Sequence, residues 1–246
     1  MNAAPDRAPV VLVHGMGSTF DHNWRQSGWV DLLQGEGCEV LPFLLPGHGG
    51  SPALSGPTDS AQRRLLMAVD ALKGPVDVVG FSAGAVATLA AVIERPHLFR
   101  RAVLLGIGDA MLDRRTVGVT FLADALDEPA ENPPASTLVR LIRQMVRVAG
   151  NDLSEVAAYA RAMPPPPTWL QIANIDVPML VGVGDRDEVG PADRLASTLP
   201  CGRLVTLRGV DHFTTTSSFA SQDAVLRFLA DVTPGAEPAA SGTLTC

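Results

Sequence analysis

Short apolar runs alternate with amphipathic stretches along most of this chain. The runs fall at 10–13, 39–43, 76–80, 102–106, 178–183 and 203–207, and apolar residues recur at helical spacing between them, a pattern that predicts parallel strands joined by helices. The run from Pro178 to Val183 is nearly continuous, as in a strand buried on both faces. One interval breaks the rhythm. The stretch from Gly106 to Pro178 is too long for a crossover of one helix, so it must hold an insertion. Within it Leu138, Leu141, Ile142, Met145 and Val146 repeat at helical spacing, Asp152 and Glu155 form a capping-box pattern, and MPPPPTW at 163–169 stiffens the return. The expectation is an α/β core over 1–108 and 171–232, a helical cap over 109–170, and a disordered tail at 233–246 rich in proline and small residues.

The stretch VDVVGFSAGAVATLAAVIE at 76–94 carries the first chemical signal. Its uncharged part, Val78 to Ile93, is shorter than the ~20 residues a membrane-spanning helix needs. It is β-branched at first and alanine-rich afterwards, which reads as a strand feeding a helix through Gly80-Phe81-Ser82-Ala83-Gly84. A strand that passes into a helix at one residue strains that residue, and the close approach of the two elements demands glycine on either side. The Ser82 hydroxyl then stands at the end of a strand and the start of a helix, where the helix dipole and free amides favour developing negative charge.

A serine hydroxyl needs a base, and the base needs an orienting acid. Among five histidines, His212 is the candidate, because it follows the strand pattern of Leu204 to Leu207 after a turn. The acid candidates follow the run 178–183. Asp187 is preferred to Asp185 because a carboxylate farther past the strand end can curve back, whereas Asp185 sits on the tight turn beside Gly184. Asp109, after the earlier strand, is a rival. The order nucleophile, acid, histidine is what one parallel sheet delivers from successive loops.

With these residues in place the chain resembles the α/β-hydrolase superfamily, and it is similar to small bacterial serine esterases of the carrier-protein methyl ester esterase and meta-cleavage hydrolase group. The matching pieces are VVLVHGMG at 10–17, LPGHGGS at 45–51, GFSAG at 80–84, GDRDEV at 184–189 and GVDHF at 209–213. The resemblance implies a mostly parallel sheet with helices on both faces, Asp187 as the acid, and an oxyanion hole formed by the backbone N–H groups of Met16 and Ala83. It implies no metal and no cofactor. The family's second motif usually begins with aspartate where Leu44 stands here. Only nine residues precede Val10, so the family's initial hairpin is expected to be missing, leaving about six strands. His14 and His48 are expected to fix loops by hydrogen bonding, while His22 and His97 carry no signal.

Composition narrows the remaining choices. With 246 residues, 46% hydrophobic and 18% charged, the chain can bury a large core, and a formal charge of −7 with no basic cluster argues against nucleic acid and anionic membranes. Cys38, Cys201 and Cys246 are scattered and odd in number, which reads as a reduced, cytoplasmic chain without a disulfide framework. The start MNAAPDRAP shows no apolar signal segment. Arg140, Arg143 and Arg147 fall on one face of the main cap helix, expected to be solvated, with docking of an acyl carrier or coenzyme A thioester as the sharper alternative. Trp24, Trp29 and Trp169 are expected to pack, Trp169 being the one of the three placed to touch a ligand because it closes the cap, and Phe81, Trp169 and Phe213 are candidates to line a pocket.

The combined expectation is a serine hydrolase that cleaves a small-molecule carboxylic ester or related acyl compound through an acyl-enzyme. C–C bond hydrolysis, thioester hydrolysis and a perhydrolase-type side activity would use the same constellation. A non-catalytic small-molecule receptor on the same fold is the alternative from another class.

Overall fold

Six strands in one sheet organise the described residues: β1 (Val10–Val13), β2 (Val40–Phe43), β3 (Val76–Phe81), β4 (Phe99–Leu105), β5 (Met179–Gly184) and β6 (Gly202–Leu207). The structure is a computed structural model that describes residues 7–113, 117–127 and 137–231; the expected tail at 233–246 lies outside them. The strand order is β2-β1-β3-β4-β5-β6, and every neighbouring pair is parallel. Among the described residues no strand precedes β1. The chain moves outward from β1 to β2 and then returns to β3, so the order reverses between β1 and β3. At such a switch point the loops leaving the carboxyl ends diverge and open a crevice.

Alternation along the strands divides the core. Val11, Val13, Val78, Ala102, Leu104 and Val181 face one apolar layer, shared with helices α2 (Ala61–Asp70), α3 (Ala83–Glu94) and α9 (Asp193–Thr198). Val10, Leu12, Val79, Val103, Leu105 and Leu180 face the other, shared with α1 (Trp29–Gly35) and α10 (Phe219–Ala230). Trp24 and Trp29 are fully buried there and meet edge to face with centroids 5.4 Å apart. Two-sided burial explains the nearly unbroken apolar runs.

β4 begins at Phe99, earlier than the expected 102, because the polar residues at its start are satisfied. Arg100 forms a bidentate pair with the buried carboxylate of Asp77 on β3, and Arg101 donates to the Leu229 carbonyl at 3.1 Å. Charges that would end a buried strand are thereby tolerated.

Between β4 and β5 the chain forms α4 (Asp109–Asp113), α5 (Val117–Asp127), α6 (Thr137–Val148), α7 (Leu153–Arg161) and α8 (Trp169–Ala173). The Asp152 side chain caps α7 by accepting from the amides of Ser154 and Glu155. α5, α6 and α7 share an apolar cluster of their own, containing Ala123, Leu126, Val146, Val156, Ala157 and Ala160, with Met16 of the core packed against it. Arg161 ties α7 to α5 through Asp124 at 2.9 Å and Asp127 at 2.5 Å.

Two expectations change here. The buried face of α6 runs through Val139, Ile142, Arg143 and Val146, with Arg143 only 5% exposed and Leu141 45% exposed. Arg140, Arg143 and Arg147 therefore do not form one solvated stripe, because packing against α5 and α7 fixes a helix rotation that periodicity leaves loose. Cys201 is disulfide-bonded while Cys38 is a free, buried thiol, which corrects the expectation of a chain without disulfides; an odd, scattered set of cysteines does not exclude a single bond. Among the described residues no helix is long and apolar enough to cross a membrane.

Candidate active site

Ser82 sits between the last residue of β3 and the first of α3 with φ 53° and ψ −118°, a conformation L-residues avoid. Its neighbours make the corner sterically feasible. A Cβ on Gly80 would stand 2.6 Å from the Gly84 carbonyl oxygen, and one on Gly84 would stand 2.4 Å from that of Val13. Both glycines are therefore required by close approach, not by dihedral freedom. The Ser82 amide donates to the Leu105 carbonyl of β4 at 2.8 Å, so the corner is anchored to the sheet and the strain is held by surrounding structure.

The loop after β6 brings His212 to this corner. The Ser82 hydroxyl donates to His212 Nε2 at 2.9 Å, and Nδ1–H donates to the Asp187 carboxylate at 2.9 and 3.1 Å. The Asp187 side chain is fully buried while that of His212 is 25% exposed. Asp187 also accepts from the Val189 amide at 3.1 Å, which fixes its carboxylate within the loop after β5. Phe81 supports the imidazole, with ring centroids 5.1 Å apart, and Phe213 meets it edge-on at 6.0 Å. The alternative carboxylates are engaged elsewhere: Asp185 accepts from the Gly209 amide at 2.7 Å, and Asp109 accepts from the Arg194 and Leu195 amides at the start of α9.

The loop after β1 faces the same corner. In the segment 15–18, the Gly15 amide donates to Asn23 Oδ1, the Gly17 amide to His48 Nε2 and the Ser18 amide to the Gly15 carbonyl. Among the described residues the Met16 and Ala83 amides have no acceptor within the chain, which suits donors reserved for another molecule. His14 and His48 hold the loops, as expected. Each directs Nδ1–H to a backbone carbonyl, of Gly15 and Pro46 respectively, and accepts an amide on Nε2, from Leu45 and Gly17. Burial pushes the His14 pKa down from 6.5 to about 3, outweighing its bond to Gly15, and burial lowers that of His48 too. Both rings act as neutral donor–acceptor bridges.

Two residues that the sequence reading passed over complete this network. Asn23 holds the Gly15 amide at 2.9 Å, and Asn151, between α6 and α7, bonds to the loops after β1 and β2. Neither carries a local signal, since an asparagine in a loop pattern reads as a turn residue. Trp169 is a packing residue, as expected, set against the core. Its indole N–H donates to Asp113 at 3.1 Å and its ring lies under the Arg194 guanidinium at 3.9 Å, so its described contacts join α8 to α4 and α9. A cleft beside the corner is lined by Leu54, Ala61, Ala83, Val86, Tyr159 and Met163. Among the described residues no group of three or more His, Cys, Asp or Glu could hold a metal ion.

A parallel sheet flanked by helices, with a strained serine at the switch-point crevice, defines a doubly wound α/β protein with its functional groups on loops at the strands' carboxyl ends. The chain belongs to the alpha/beta hydrolase family, whose model matches residues 10–227. No curated protein matches it significantly. Among solved structures it is similar to Rv0554 from Mycobacterium tuberculosis, at 22% identity and TM-score 0.76, covering 92% of this chain and 91% of that one. It is also similar to a hydrolase from Pseudomonas aeruginosa PA01, at 25% identity and TM-score 0.67 over 94% and 92% of the two chains. The enol-lactonase from Burkholderia xenovorans LB400 matches at 22% identity and TM-score 0.69 over 92% of each chain.

Proposed function

We propose that this protein is a serine hydrolase that cleaves a small-molecule carboxylic ester, or a related acyl compound, through an acyl-enzyme on Ser82. The observation that carries the reading is the continuous hydrogen-bonded line from Ser82 Oγ through both nitrogens of His212 to the buried carboxylate of Asp187. In the first step Ser82 Oγ bonds to the substrate carbonyl carbon while His212 Nε2 takes its proton. Asp187 keeps the ring in the tautomer with Nε2 free and stabilises the imidazolium. The carbonyl oxygen becomes an oxyanion held by the amides of Met16 and Ala83, each worth roughly 3 kcal/mol at the transition state. The alkoxide then leaves with the proton from His212. Water attacks the acyl-enzyme with the same proton transfers, releasing the acid and restoring Ser82.

In this reading residues 109–170 act as a cap over the corner, excluding water and shaping the acyl site. Support comes from Met16, a loop residue of the core that packs into the cluster of α5, α6 and α7. The cleft of Ala83, Val86 and Leu54 offers an apolar wall for the acyl or alcohol group. The enol-lactonase among the structural neighbours makes lactones sensible candidates beside open-chain esters.

The test is labelling by a fluorophosphonate probe in the wild type and in Ser82→Ala, followed by nitrophenyl esters from acetyl to octanoyl. Labelling and turnover that vanish together in Ser82→Ala are expected. Labelling that survives the substitution overturns the nucleophile, and a wild type that turns over none of the esters overturns the esterase reading.

A further inference from the structure

We infer that Asn151 is a positioning residue for the Met16 amide, acting through two peptide planes; the inference rests on the reading of Met16 as an oxyanion donor. Asn151 is itself firmly placed. Gly150 closes α6 with φ +73°, its amide donates to the Arg147 carbonyl, and the Asn151 amide donates to the Val146 carbonyl at 3.0 Å. These are the two bonds of a Schellman cap. The next residue, Asp152, is the N-cap of α7, so Asn151 is pinned between two helix ends.

From there its side chain reaches the core. Nδ2 donates to the carbonyls of Gly17 at 3.1 Å and Ser18 at 3.0 Å, while Oδ1 accepts from the Gly49 amide at 2.8 Å. Two acceptors on one side and a donor on the other fix the orientation of the amide. The carbonyl of Gly17 and the amide of Ser18 belong to one planar peptide, so holding the first aims the second. That Ser18 amide donates to the Gly15 carbonyl at 3.2 Å, where His14 Nδ1–H also donates at 2.9 Å. The Gly15 carbonyl and the Met16 amide share the next plane to be fixed, and in a trans peptide the N–H points opposite to the C=O. Asn151 therefore sets the direction of the Met16 N–H from the helical insertion, two hydrogen bonds and two planes away.

The surroundings leave this relay little slack. A Cβ on Gly17 would meet Val146 Cγ2 at 2.8 Å and Met145 Cε at 3.1 Å, and one on Gly47 would meet Glu155 Cβ at 3.1 Å. The loops after β1 and β2 are thus pressed against α6 and α7, and His48 bridges them by accepting from Gly17. Seating of the insertion and competence of the oxyanion hole become one event.

The experiment compares wild type with Asn151→Ala and Asn151→Asp. The second is isosteric but turns an anionic oxygen toward two carbonyls, so it should be the worse. Each is assayed on an oxoester and on its thionoester, whose sulfur accepts hydrogen bonds weakly and draws less on the Met16 amide. Expected are a kcat on the oxoester about 10- to 100-fold lower, a KM within a few-fold of wild type, and a smaller oxoester-to-thionoester ratio. Equal losses on both substrates, as general destabilisation would give, overturn the inference. Backbone hydrogen exchange of residues 14–19 provides a readout independent of turnover. It should quicken at Ser18 by about 10-fold or more in both variants, and unchanged exchange also overturns the inference. A wild type inactive on the oxoester would instead count against the proposed reaction, leaving the exchange result to decide the role of Asn151.

Discussion

Gly84 touches the carbonyl of Val13 so closely that a methyl group on it would lie 2.4 Å from the oxygen, inside any permitted contact. The helix after Ser82 is pressed onto the strand that leads to the Met16 loop, so the proposed nucleophile and the proposed oxyanion donor are set against each other by bare backbone. Gly84→Ala should push α3 away from β1, destabilising the fold by about 1–3 kcal/mol as overpacking does and lowering turnover beyond the loss of folded protein. Urea unfolding beside kcat on a nitrophenyl ester checks both; a variant with unaltered stability and turnover would contradict the close approach.

The three carboxylates near the sheet edge should separate cleanly. Asp187→Asn replaces the carboxylate with an amide that can donate to Nδ1, which costs His212 the tautomer with Nε2 free, and is expected to lower kcat by about 10⁴-fold. Asp185→Asn should leave kcat within a few-fold, since Asp185 only supports the turn at Gly209. Asp109→Ala should cost about 1 kcal/mol of stability, because its carboxylate accepts two amides at the start of α9, with kcat preserved. Steady-state kinetics and urea melts of the three variants decide the matter, and near-normal turnover in Asp187→Asn is the outcome that refutes the assignment.

Acid should weaken the fold through His14. Its pKa is about 3 in the folded chain against 6.5 as the ordinary value, so below pH 6.5 the unfolded chain binds a proton that the folded chain refuses. The stabilisation from a neutral His14 is complete above pH 6.5 and drains away as pH falls toward 3, by about 1.4 kcal/mol per unit. His48 adds a contribution of the same sign, since burial lowers its pKa as well. Urea midpoints between pH 7 and 4 measure the slope, which should flatten in His14→Asn. An equal slope in that variant would assign the acid sensitivity to other groups.

The corner and its partners were legible because their signals are local. G-x-S-x-G between a β-branched run and an alanine-rich one, a G-x-x-D after a strand, and a histidine after the last strand each report conformational needs felt within a few residues. The rest came from contacts between distant segments. Arg100 extends β4 because Asp77 waits on β3. Arg143 is buried because α5 and α7 fix the rotation of α6. Trp169 packs as expected, but its partners Asp113 and Arg194 lie in segments far from it along the chain.

By itself, then, the amino-acid sequence determined the parallel strands, the strained serine and the order in which Ser82, Asp187 and His212 follow them, because periodicity and glycine spacing act over one or two turns of backbone. Tertiary structure alone decided that Asn23 and Asn151 would secure the loop that carries Met16, and that Asp185 and Asp109 would be engaged elsewhere. Those pairings depend on how separately folded elements dock, and docking geometry is set by the packing of whole surfaces that no short window of sequence contains.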